Sequence, residues 1–276
     1  MTTKRWIGWA TALAGVLVFV NAAAAAKPAS PSSAERSTGE AFEWSKAIAA
    51  GKAIEIKGVN GDIAASRAAG KEVEVRATKR AWKSDVNEVT IEVIEHEDGV
   101  TICAKYPDVD GKKNVCGPGD KGNMNTHNND VRVDFDVRVP AGVRLIVRTV
   151  NGEIRAEDLE SPVEAATVNG SVQVSTTGYA SAETVNGSIA ATLGDAAWTE
   201  PLSFNTVNGA INLTLPADVG AEVRAETLNG TIHSDFPLTV RGKISRNRLQ
   251  GSIGKGGRRL DLETVNGNIS LRSASS

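Results

Sequence analysis

The sequence predicts an all-β protein whose body is a parallel β-helix-like solenoid. Three observations lead there. A Thr-Val-Asn-Gly-x-Ile phrase or a near variant recurs along the chain, and apolar and charged residues alternate with period two between recurrences. Beyond residue 26 no stretch carries convincing helical periodicity. Of the 276 residues 41% are apolar but only 4% aromatic, so Val, Ile, Leu and Ala must fill the core. A formal charge of −2 offers no basic face, which argues against nucleic-acid binding.

Residues 1–26 read as a signal peptide. Lys4 and Arg5 precede an apolar stretch from Ile7 to Val20, and Ala24-Ala25-Ala26 supplies small side chains for cleavage before Lys27-Pro28. The stretch is short of the roughly 20 residues that span a bilayer. Neither a lipid-accepting Cys after that site nor a later apolar run suggests anchoring. Residues 27–40, rich in Pro, Ser and charge, read as a flexible linker.

Residues 41–148 are expected to form a β-rich N-terminal part or cap. Phe42 and Trp44 are placed to dock on the first strands. Val131 to Val139 alternates apolar and charged residues without interruption, and Asp98-Gly99 reads as a hairpin turn. Cys103 and Cys116 are the only cysteines. Outside the cytoplasm they favour a structural disulfide over free thiols, and with no His-Cys cluster nearby zinc is disfavoured.

The repeats occupy residues 149–272, ahead of a polar tail, 273–276. The corners are Asn151-Gly152, Asn169-Gly170, Asn186-Gly187, Asn208-Gly209, Asn229-Gly230, the degenerate Gln250-Gly251, and Asn266-Gly267. Asn60-Gly61 is an outlying copy. From residue 151 the spacings are 18, 17, 22, 21, 21 and 16, enough for two short strands and two turns per copy. Asn and Gly tolerate positive φ, which suits a sharp corner. The Val before it and the Ile after it are expected in the core. A hairpin meander would use the same dipeptide, but its turns would lie about twice as far apart as the 4.8 Å of stacked coils. Near-identical corner side chains favour stacking, with an Asn amide ladder about 29 Å long. Val137 to Ala141 leading to Asn151 parallels Leu213 to Ala217 leading to Asn229, so residues 50–150 read as a modified beginning of the same body.

At these residues, over roughly 50–272, the chain resembles a bacterial exported family of β-strand-repeat proteins of unknown function. Its members are often described as candidate adhesins, including the head domain of a candidate auto-transporter adhesin. The shared features are the leader, the T-V-N-G-S-I phrase and the β-only body. The resemblance implies a parallel β-helix-like stack and an envelope or surface location, periplasm or outer cell surface. It supplies no catalytic residues. No membrane barrel follows the repeats in this sequence, so self-export is not expected.

A search for chemistry returns little. His96, His127 and His233 sit in no nucleophile or metal motif. Asp108-Val109-Asp110-Gly111 begins like a calcium loop, but Lys112 stands where an oxygen ligand belongs and no closing Glu fits. Glu153, Arg155, Glu157 and Asp158 crowd one coil without an acid ladder or an aromatic platform, so a polysaccharide-cutting site is disfavoured. The sequons at Asn169, Asn186 and Asn229 are explained by the corner itself. The expectation is a non-enzymatic, adhesin-like scaffold without catalytic residues, metal or cofactor. Its Thr and Ser ladders would meet an envelope polymer or another surface protein. A second possibility is self-assembly as a homo-oligomer through the C-terminal coil, where Leu271 precedes only a polar tail.

Overall fold

In the computed structural model, residues 37–195, 198, 200–240 and 245–274 are described. The expected signal peptide, most of the linker and the last two residues of the tail lie outside them. No helix among the described residues is long and apolar enough to cross a membrane.

Among the described residues, two sheets of eleven strands face each other. One collects the strands that enter the Asn-Gly corners, the other those that leave them. Entering strands Arg144–Arg148, Val163–Ala166, Ala180–Glu183 and Leu202–Asn208 pair in parallel, one coil to the next. So do the leaving strands Ile154–Leu159, Val172–Thr176, Ile189–Leu193 and Ile211–Leu215. Parallel pairing from coil to coil is the solenoid arrangement; a meander would have alternated direction. The core lies between the sheets. Ile63, Ile154, Val172, Ile189, Ile211 and Ile269 stand in register as one buried column. Each such side chain contributes about 1.5–3 kcal/mol of burial.

The Asn60 copy belongs to the stack. Ala53–Lys57 and Ile63–Arg67 pair in parallel with the strands of the Asn151 coil. Beyond them lies a coil made of Gly99–Lys105 and Arg132–Val139, whose corner is replaced by a long loop. Antiparallel strands close this end: Thr90–His96 on one sheet, and Glu72–Ala81 with Phe42–Ala47 on the other. Ser37 and Thr38, placed in the linker by composition, pair with Ala81 and Arg80, so ordered pairing starts before residue 41.

Two expectations about the far end are corrected. Gln250-Gly251 is not a corner: it lies within Arg248–Ile253, an antiparallel strand in which Gln250 faces Arg224 and Gly251 faces Val223. Nor is the Asn266 coil the uncovered last coil. Arg258–Asn266 lies between Leu202–Asn208 and Ala221–Asn229, and Ile269–Ser273 between Ile211–Leu215 and Ile232–Ser234. The outermost coil is therefore that of Asn229, covered on one sheet by Arg248–Ile253 and Leu238–Val240.

Candidate functional site

The repeated phrase builds one long edge of the solenoid. At its centre runs an amide ladder. Asn151 Nδ2 donates to Asn60 Oδ1 at 2.8 Å, and Asn169, Asn186 and Asn208 each donate to the preceding Asn at 2.8 Å. Asn266 then donates to Asn208, and Asn229 to Asn266, both at 2.7 Å. Six bonds join seven coils in one line, each worth about 0.5–1.5 kcal/mol net. The amides of the three sequons, Asn169, Asn186 and Asn229, are donors in this ladder.

Beside the amides the glycines stack backbone on backbone. A Cβ on Gly152, Gly170, Gly187, Gly209, Gly267 or Gly230 would fall within 2.0 Å of the neighbouring corner's carbonyl oxygen. Close approach, and not positive φ, is thus the reason for glycine here. Only Gly61 among the corner residues takes a left-handed angle, φ +138°.

From Asn151 onward the residues before the corner Asn divide in the opposite sense to hydropathy. Thr149, Thr167, Thr184, Thr206, Thr264 and Thr227 are buried, and each hydroxyl donates to a glycine carbonyl of the adjacent coil at 2.8–3.2 Å. Val150, Val168, Val185 and Val207 stand 37–39% exposed, and Leu228 68%. The expected inward Val is therefore overturned in these coils, while Val59, before Asn60, is buried as expected; these threonines form no outward ladder. The strand parity explains it: Ala180 and Ala182 point inward, so Thr184 does too and Val185 points out. After each glycine, a side-chain oxygen in several coils accepts the next coil's amide, as Asp62 does from Glu153, Ser188 from Ala210 and Asn268 from Thr231.

The edge changes character toward the N-terminal end. Arg132 bridges Asp62 at 2.6 Å and Asp134 at 3.2 Å, and Arg80 also contacts Asp134. Burial works to raise the Asp134 carboxyl, but the Asp62 amide and the two guanidinium groups outweigh it and hold the group below its ordinary value. The loop between Tyr106 and Val131 folds over the outer side of the entering-strand sheet, pinned by the Cys103–Cys116 disulfide. It buries Glu55, whose Oε2 accepts from Thr101 Oγ1 at 2.8 Å and from the Gly119 amide at 3.0 Å. Lys57 donates to the Gly117 carbonyl at 2.5 Å and also to that of Gly119. Tyr106 donates to the Val131 carbonyl at 2.7 Å, and burial pushes its hydroxyl up to about 12. A cleft of about 280 Å³, lined in part by Val115, Met124, Arg148 and Val150, joins this loop to the start of the valine row. Replacing both cysteines by serine is expected to lower stability by about 2–3 kcal/mol, the loop-closure value for a short ring. An unchanged urea midpoint would show that the loop's hydrogen bonds suffice.

The other sequence candidates do not converge. Asp108 accepts the Asn114 amide at 2.8 Å in a local turn. Glu153 pairs with Arg155 at 2.7 Å, and His96 meets Thr101 at 3.1 Å while His233 meets Asp235 at 3.1 Å. Among the described residues no three His, Cys, Asp or Glu side chains gather as a metal site would require. Sequence reasoning missed the exposed valine row, although counting parity from the preceding strand would have found it.

A family model described as Toastrack DUF4097 matches residues 46–272. A comparison with curated proteins finds no match. Among solved structures, the chain is similar to a candidate cell adhesion protein from Clostridium sporogenes ATCC 15579, with 14% identity and a TM-score of 0.46, covering 85% of this chain and 100% of that one. It is similar also to a candidate adhesin from Bacteroides fragilis NCTC 9343, with 9% identity and a TM-score of 0.32, covering 85% and 97%.

Proposed function

Since the chain belongs to the Toastrack DUF4097 family, we propose that it is a non-enzymatic, adhesin-like binding scaffold of the bacterial envelope, exported and using its corner edge as the contact surface. The observation that carries this reading is the row Val150, Val168, Val185 and Val207, exposed beside an uninterrupted amide ladder. An edge that repeats one apolar and one amide group about every 4.8 Å suits contact spread over many coils. It offers no convergent acid, base or nucleophile for catalysis. Export is supported by the leader-like first 26 residues and by a disulfide, which persists in oxidising compartments.

The test pairs location with binding. Protease is applied to intact and to osmotically opened cells, and the body is followed with an antibody to residues 50–150. Loss in intact cells places it at the surface, and loss only after opening places it in the periplasm. Recovery in the cytosolic fraction would overturn export. Purified protein is then incubated with isolated envelope fragments. Wild type is expected to be retained, and the triple variant Val168→Thr, Val185→Thr, Val207→Thr to be retained several-fold less. Equal retention of the two would remove the valine row from the contact; no retention of wild type would remove the binding role.

A further inference from the structure

The order of coils in space departs from their order in the chain where the Asn266 coil sits. This coil follows the Asn229 coil in sequence, yet it is inserted between the Asn208 and Asn229 coils. Each of its strands has parallel partners on both sides. A segment synthesised after both walls of its slot must enter a gap, or the Asn229 coil must stand aside until it arrives.

The slot and its insert are built from the general corner contacts. Asn266 donates to Asn208 and accepts from Asn229; Thr264 donates to Gly209 O at 2.9 Å, and Thr227 to Gly267 O at 2.8 Å. Nothing in these contacts depends on the two sides belonging to one molecule. The insert hangs on Gly254-Lys255-Gly256-Gly257, whose glycines take φ of +58°, +76° and +159°. Three glycines in left-handed conformations form a connection that can adopt other paths with little steric cost.

End-to-end association is poorly served by comparison. At one end the seven-residue edge strand Thr90–His96 turns Glu95 to the same side as Val93 and pairs it with Lys46 of Phe42–Ala47 at 2.5 Å. At the other, the edge strands Ile232–Ser234 and Leu238–Val240 have three residues each, with Pro237 between them. An exposed ion pair at the edge and short edge strands are both devices that discourage strand addition.

We propose that residues 258–274 are an exchangeable coil, and that two copies of this chain associate by each placing this coil in the other's slot. The exchanged pair keeps every ladder bond of the monomer, so protein concentration during folding decides between them. Once the slot is filled, exchange requires breaking both parallel pairings and is slow.

The test uses two full-length single variants, Ser203→Cys and Asp261→Cys, at positions opposite each other in the register between Leu202–Asn208 and Arg258–Asn266. Equimolar chains are unfolded together with the native disulfide intact, refolded at low and high concentration, and treated with dibromobimane. A crosslinked species of twice the chain mass is expected, at least tenfold more abundant at the higher concentration. It should be nearly absent when the variants are refolded apart and then mixed. The double variant should crosslink within one chain, showing that the two positions react. If the double variant crosslinks and the mixed pair never does, exchange is excluded. Sedimentation of the unsubstituted chain, refolded alike, gives an independent reading. A monomer at every concentration overturns the proposal, as does a dimer formed without the crosslink.

Discussion

Gly187→Ala is expected to destabilise the protein by about 3 kcal/mol or more, a large part of the 5–15 kcal/mol that holds a typical domain together. The added Cβ would lie 2.0 Å from the Gly170 carbonyl oxygen, 2.5 Å from its carbon and 2.9 Å from the Ser171 nitrogen. All three are backbone atoms, so no side chain can swing away. Relief requires separating two coils that are held by the Asn169–Asn186 amide bond at 2.8 Å and by the Thr184 hydroxyl on Gly170 O at 2.9 Å. The next coil resists as well, because Gly209 approaches the Gly187 carbonyl in the same way. Gly70→Ala is the matched control. Nothing lies within 4 Å of its Cβ position and its φ is not left-handed, so it should be neutral or slightly stabilising. Urea midpoints of the two variants decide the matter; a Gly187→Ala protein within about 0.5 kcal/mol of wild type would show that the stack yields easily and that glycine stacking is not its limiting contact.

The same corner shows how far a sequence can be read. The recurring Asn-Gly and the alternation around it were sufficient for a parallel stack, because both express local requirements repeated in every coil. Two cysteines with polar residues between them were sufficient for the disulfide. The inward residue was misassigned because hydropathy was weighed above parity. Val185 is the more apolar of the pair, but Ala180 and Ala182 already fix Thr184 on the buried side. The neighbour relations at the far end were not legible at all. Each corner carries nearly the same phrase, so nothing local tells whether Asn208 receives Asn229 or Asn266; in the fold it receives Asn266, and Arg248–Ile253 pairs with the outer side of Ala221–Asn229. Gln250 fell into the row by spacing alone. The Arg-Leu before it lacks the Thr that every true corner except that of Asn60 carries, and Gln replaces Asn; together these were the available signal.

Exchanging the chemistry of Thr184 and Val185 should reverse the usual expectation for buried and exposed positions. Thr184→Val keeps the branched shape and adds apolar character at a site that is 2% exposed, which on hydropathy alone would stabilise. It also removes the donor to the half-buried Gly170 carbonyl, and losing such a hydrogen bond costs about 0.5–1.5 kcal/mol. Val185→Thr, at 38% exposure, should change stability by less than about 0.5 kcal/mol. Both variants are compared by urea unfolding, and the valine-row variants are carried through the envelope-retention assay alongside. A destabilised Thr184→Val that still binds, set beside a stable Val185→Thr that binds less, would divide the phrase physically. Its threonine, asparagine and glycine would hold coil to coil, and its valine would be the one position free of that task and open to a partner. A neutral Thr184→Val would instead mean that the Gly170 carbonyl finds another donor, and that the buried hydroxyl row adds little to the stack beyond filling space.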